Sequence, residues 1–220
     1  MIIRSLSALV MAISVLSAIW MGSPYFEALI VLVGWLAIME WYRLILVNRP
    51  KFPNIIFMCF GVLYVIAPCL ILVWLRNNGP HGLYFIVWFF VVIWSTDIGA
   101  YLFGKSIGVA KLAPKISPNK TWAGFFGGIG SAVIVSLLFY YFLYPIAGLF
   151  LLFLGCVVIS VVGQIGDLFE SWCKRRLGVK DSGKLIPGHG GILDRVDSIL
   201  LSAPIAGVVS IIFQTHEILF

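Results

Sequence analysis

Apolar residues in this chain run in long blocks, and the short stretches between them carry nearly all of the charge. One soluble core cannot bury so many consecutive apolar side chains, whereas a bilayer takes roughly 17–25 of them per crossing. Seven such blocks are read, near residues 5–21, 25–47, 55–75, 83–103, 122–144, 146–165 and 193–213. Turn-forming residues separate them: Gly22-Ser23-Pro24, Asn48-Arg49-Pro50, Asn77-Asn78-Gly79-Pro80 and Pro145. The expected fold is all-α, a polytopic membrane protein of about seven transmembrane helices. Composition agrees, with 61% hydrophobic and 11% charged residues against about 45–50% and 25% in soluble domains. No internal repeat is visible, and residues 1–220 are expected to form a single integral membrane domain. The first block resembles a signal peptide in having an early Arg and an apolar run, but it continues the charge pattern of the later spans and is read as the first helix.

That charge pattern gives an orientation. Of the fifteen Lys and Arg residues, fourteen fall on one side of the seven spans and Arg76 alone on the other. Under the positive-inside rule the amino terminus faces the cytoplasm, as do the loops at 104–121 and 166–198, and the carboxyl terminus faces out. A net charge of +6 favours anionic lipid or nucleotide phosphates. Nucleic acid is a poor partner, since the basic residues are confined to a few interhelical loops. Cys59, Cys69, Cys156 and Cys173 lack C-x-x-C spacing and give neither a disulfide framework nor a zinc site.

Acidic residues are scarce, and their placement is informative. Asp97 lies inside the fourth apolar block, where a carboxylate costs about 2.5–3.5 kcal/mol at mid-bilayer and calls for a partner or a polar cavity. A hydrogen bond to Ser95, Thr96 or Tyr101 is the bland alternative. Glu40, three residues before Arg43, reads as half of an interfacial ion pair. The loop from Lys111 to Gly128 combines three lysines with a helix start. Ser117 or Asn119 is the expected cap, Pro118 fits a first turn, and exposed amides beside Lys120 and Thr121 would bind an anion. The alternative is a surface charge cluster next to a packing site formed by Gly124 and Gly128 at G-x-x-x-G spacing.

The densest polar segment runs from Gly166 to Ser198. Asp167, Glu170, Ser171 and Lys174 share one face if the sixth helix continues past the membrane, and Asp194, Asp197 and Ser198 repeat the pattern at the start of the seventh. Six of the nine acids (Asp97, Asp167, Glu170, Asp181, Asp194 and Asp197) fall at the ends of spans four, six and seven or in the last loop. Hard oxygens for a cation, ammonium groups for phosphate and glycines where backbone must approach suit a magnesium–phosphate site, the alternative being a solvated loop with ordinary ion pairs. His189 alone reads as an acid, a phosphate donor or a loop-organising residue, with no second nitrogen ligand nearby for zinc.

The string from Ser171 to Asp197, SWCKRRLGVKDSGKLIPGHGGILDRVD, resembles the signature of the phosphatidate cytidylyltransferases, also called CDP-diacylglycerol synthases. The segments STDIGAYLFGK and SPNKTWAG are similar to that family too, whereas the first three spans agree only in being apolar. Cys173 stands where the family usually has a larger aliphatic residue. The resemblance implies a nucleotidyltransferase that converts CTP and phosphatidate to CDP-diacylglycerol and pyrophosphate for phospholipid biosynthesis. It also implies Mg²⁺ dependence, with a second cation possible, a homodimer among membrane lipids, and a site on the cytoplasmic face of the inner (plasma) membrane. Asp167 and Asp194 would lead as metal ligands, supported by Asp97, Asp197 and Glu170. Lys174 and His189 join Asp167 and Asp194 as expected catalytic groups, and Lys120, Arg175 and Lys180 as expected phosphate contacts. Ser117, Asn119, Thr121, Ser171, Asp181, Gly190, Gly191 and Arg195 complete the expected substrate site. Two rivals remain: a CTP-dependent lipid kinase of the dolichol or phytol kinase sort, and a transporter with Asp97 on an ion path, which would need polar residues spread through the spans.

Overall fold

The computed structural model describes residues 2–48, 54–79, 81–143, 145–183, 185 and 190–217. Among these residues seven helices form where seven apolar blocks were read: α1 (Ile2–Met21), α2 (Tyr25–Asn48), α3 (Asn54–Asn77), α4 (Gly82–Ile107), α5 (Trp122–Phe142), α6 (Leu149–Arg176) and α7 (Leu193–Glu217). Helices α2 to α7 are long and apolar enough to cross a membrane, while the shorter apolar part of α1 is Leu9–Met21. Helix α6 departs from the expected block at both ends. It starts at Leu149, after Ile146 and Ala147 have been buried, and runs unbroken to Arg176, well beyond the apolar stretch. The fifth span was expected to reach Tyr144. Its helix stops at Phe142, and Tyr144 lies outside the described residues.

Between α4 and α5 the chain forms an antiparallel hairpin of β1 (Lys111–Ala113) and β2 (Ser117–Thr121), with Lys111 opposite Thr121 and Ala113 opposite Ser117. This corrects the expected cap. Backbone stays extended through Thr121 (φ −129°, ψ 157°), whose side chain accepts a hydrogen bond from the Gly124 amide, at 3.1 Å. Ser117 and Asn119 therefore belong to a strand, and Pro118, lacking an N–H, is tolerated in a two-stranded ribbon that has edges on both sides. Threonine is a good N-cap because its hydroxyl satisfies one of the orphan amides of the first turn.

Helices α4 and α5 form the most extensive pair, and small residues explain it. A Cβ on Gly124 would lie 2.7 Å from the Ala100 carbonyl, and one on Gly128 2.8 Å from that of Thr96. The G-x-x-x-G spacing is thus a helix-packing face. At the α6–α7 contact a Cβ on Gly166 would meet the Asp197 carbonyl at 2.7 Å.

Two buried clusters hold the bundle. The larger includes Trp88, Phe89, Ile93, Leu152, Ile159 and Phe213, with the Trp88 indole donating to Ser136 Oγ at 3.0 Å. The smaller joins Trp41, Ile45, Val65, Cys173, Leu177, Leu193 and Leu200, so α2 and α3 pack on the end of α6 and the start of α7. Outward side chains such as Trp35, Ile134 and Phe150 stay exposed, as lipid-facing residues do when the solvent is hydrocarbon. At one end of the bundle, Arg76 Nε donates to the Ile19 carbonyl at 2.7 Å and Asn77 Nδ2 to Glu27 Oε1 at 2.8 Å. The opposite end gathers the last turns of α2, α4 and α6, the first turns of α3, α5 and α7, and the hairpin.

Candidate active site

At that second end a cleft of about 450 Å³ opens between α4, the hairpin, α5, α6 and α7. Its wall includes Asp97, Asp167, Asp194 and Asp197, together with Lys120, Arg195, Tyr101, Leu112, Asn119, Phe125 and Gln164. Because α6 continues to Arg176, Asp167, Glu170, Ser171 and Lys174 do lie along one face. Lys120, on β2, reaches across with Nζ 2.7 Å from Asp167 Oδ2 and donates to the Gln164 carbonyl at 3.4 Å. Ser171 Oγ donates to Asp167 Oδ1 at 3.4 Å. This pair keeps access to water, with side-chain exposures of 23% for Lys120 and 35% for Asp167.

Asp194 is held differently. Lys174 Nζ lies 2.5 Å from its Oδ1, and the amides of Ser182 and Gly191 each donate to Oδ2 at 2.9 Å. A carboxylate in the first turn of α7 is favoured by the orphan amides and dipole of the helix start. Here it also gathers the preceding loop. Lys174 is shared with Glu170, whose Oε1 is 3.3 Å away and whose side chain is almost fully buried. Lys174, expected to contact phosphate, is thus engaged by two buried carboxylates.

Two of the bland readings fail. The hydroxyls of Ser95 and Thr96 donate to the Val92 carbonyl, and Thr96 also donates to Ser160 Oγ at 2.9 Å; Tyr101 lies under the Lys105 ammonium. Asp97 instead lines the cleft. Glu40 is only 2% exposed, whereas Arg43 points outward. The Glu40 carboxylate accepts from Ser182 Oγ, from the Ile192 amide and from the Leu193 amide, each at 3.0 Å. An ion pair three residues away on one helix was expected. The observed donors lie in another part of the chain and offer three hydrogen bonds inside the protein.

Some of the remaining expected residues line the cleft and others do not. Asn119 lines the cleft, as does Thr121; Ser117 is half-buried at the other end of β2. Arg175 is exposed and donates to the Val179 carbonyl at 2.8 Å, closing the end of α6. Lys180 and Asp181 are exposed. Gly190 takes φ +86°, and a Cβ there would stand 2.7 Å from Asp194 Oδ2, so glycine is required on both counts. His189 lies outside the described residues. Sequence reading passed over Ser182 and Gln164, and misassigned Glu40. An acid within an apolar helix was the available signal for the last; Ser182 and Gln164 carried none.

Among the described residues no three His, Cys, Asp or Glu side chains converge to hold a metal by themselves. Asp97, Asp167 and Asp197 nevertheless face one cleft beside Lys120. That donor set fits Mg²⁺, which takes one or two carboxylates and completes its shell with water and substrate phosphates.

Together these features make the chain an integral membrane protein with a polar cleft, lined by acidic and basic side chains, at one end of its helices. The profile of the cytidylyltransferase family matches residues 46–213, well over half of the chain, and the chain belongs to that family. It is 40% identical over 209 residues to the phosphatidate cytidylyltransferase of Rickettsia bellii, covering 92% of this chain and 87% of the relative. It is 45% identical over 159 residues to that of Brucella abortus, covering 72% and 58%. Against that of Staphylococcus haemolyticus identity is 42% over 170 residues, covering 77% and 64%. The matches thus take in most of the first relative's length and under two thirds of the other two.

Proposed function

We propose that the chain transfers the cytidylyl group of CTP to phosphatidate, releasing pyrophosphate and CDP-diacylglycerol, with its cleft on the cytoplasmic face of the plasma (inner) membrane. The observation that carries this reading is the placement of Asp97, Asp167 and Asp197 around one cleft with Lys120 and Arg195, at the end of membrane-spanning helices. The names of the relatives supply the substrate, and the 14-to-1 partition of Lys and Arg supports the sidedness. A homodimer belongs to the same reading and rests on the resemblance alone.

Phosphatidate's phosphomonoester oxygen is already anionic near neutral pH, so its attack on the α-phosphorus of CTP needs little general-base help. The new bond joins that oxygen to the α-phosphorus; the bond to the bridging α–β oxygen breaks, and its electrons leave with pyrophosphate. The obstacle is repulsion between anions and their alignment in line. One or two of Asp97, Asp167 and Asp197 would hold Mg²⁺, which when bound screens the phosphates and stabilises charge developing on them. Lys120, now paired with Asp167, is positioned to exchange that carboxylate for a phosphate oxygen. Arg195 adds a second cation on the wall. Asp194 and Lys174 hold the loop before α7, which fixes where Asp197 stands one turn further along.

Purified protein given phosphatidate, Mg²⁺ and CTP labelled at the α or the γ position tests the reaction. Label from α should enter the organic phase only with phosphatidate present, and γ label should appear in pyrophosphate; EDTA should stop both. Label from γ moving into lipid would make the chain a kinase, and no movement of either label from folded protein would remove the enzymatic reading.

A further inference from the structure

Glu40 lies before residue 46, where the family match begins, on a helix whose kinship to the site the sequence does not display. Its carboxylate nevertheless takes three hydrogen bonds from the segment that carries the site: Ser182 Oγ, and the amides of Ile192 and Leu193 at the start of α7. A buried charge survives only when fully compensated. Here the compensation is a hydroxyl and two amides that the first turn of a helix leaves unpaired, beside the positive end of that helix.

The neighbouring glycines are shaped around this side chain. A Cβ on Gly183 would lie 2.6 Å from Glu40 Oε1, and one on Gly191 would collide with Ser182 Oγ and with Glu40 Oε2. Ser182 links two carboxylates, giving its hydroxyl to Glu40 and its amide to Asp194. Asp194 in turn lines the cleft together with Arg195 and Asp197.

We infer that Glu40 is a positioning residue for cytidylyl transfer: from α2 it clamps the loop before α7 and so sets the placement of Asp194 and Asp197 in the cleft. The helices ahead of the signature thereby supply part of the active-site scaffold as well as membrane anchorage. This inference rests on the reaction proposed above.

The test uses the full chain in nanodiscs with three variants: Glu40→Gln, which keeps size and one acceptor oxygen; Ser182→Ala, which removes one donor; and Glu27→Gln, at the other end of α2, as control. Misplacing reacting groups slightly lowers turnover more than ground-state binding. Glu40→Gln should therefore lower kcat by about tenfold or more, with KM for CTP and for phosphatidate changed less than about threefold. Hydrogen exchange should show lost protection at the Ile192 and Leu193 amides in that variant. Ser182→Ala should give a smaller loss of kcat with the same split, and Glu27→Gln neither effect. Full turnover in Glu40→Gln, or unchanged protection of the two amides, overturns the clamp. If Glu40→Gln does not fold, Ser182→Ala decides: an unaltered kcat there rejects the inference. If the wild-type chain transfers no label, the reaction fails as a reading, while the exchange measurement still accepts or rejects the clamp by itself.

Discussion

Asp167 and Asp194 line one cleft and are held in contrasting ways. Asp167 meets a single ammonium and a long hydroxyl contact, and both it and Lys120 keep access to water. Asp194 is nearly buried and is bound by Lys174 and two backbone amides. Contacts from mobile side chains can be exchanged for those of a substrate at small cost. Contacts from backbone amides cannot move without moving the chain. The first arrangement suits a group that changes partners during a reaction, the second a group that fixes a shape.

Replacing each acid by its amide sharpens the contrast. Asp167→Asn should have the largest effect on chemistry, a loss of about 10²-fold or more in turnover, comparable to removal of one electrostatic stabiliser elsewhere. Its unfolding free energy should shift by less than about 1 kcal/mol, because the ion pair lost keeps access to water. Asp194→Asn should lower both, costing about 3 kcal/mol of stability by removing the charged acceptor that Lys174 and the Ser182 and Gly191 amides share in a nearly buried setting. Chemical denaturation in mild detergent, run beside the label-transfer assay, separates the two. Equal stability losses in both variants would erase the distinction. The smallest effect concerns the wall behind Lys120: Thr121→Ala removes the cap of α5 and should cost about 1 kcal/mol, while Thr121→Ser, which keeps the hydroxyl, should recover most of it.

The helices were legible because membrane crossing needs little more than a run of apolar residues, and the run is local. The shared face of Asp167, Glu170, Ser171 and Lys174 was legible for the same reason, once α6 was taken past its apolar end. The hairpin was not. Strands this short take their stability from what they pack on, and neither Lys111–Ala113 nor Ser117–Thr121 has a strand-like alternation to announce it. Glu40 was misread because its nearest opposite charge in sequence is Arg43, while its true partners lie 142 to 153 residues away. No rule of helical spacing reaches that far.

The unbroken run of α6 has a consequence for depth. Asp167 is the nineteenth of its 28 residues, which places it about 27 Å along the axis from Leu149, against a hydrocarbon layer about 30 Å thick. With Leu149 at one hydrocarbon boundary, the helix would act as a ruler that carries Asp167 to near the level of the opposite headgroups. A phospholipid's phosphate is held at that same height by its own acyl chains, so enzyme and lipid can meet without the lipid being lifted out of its leaflet.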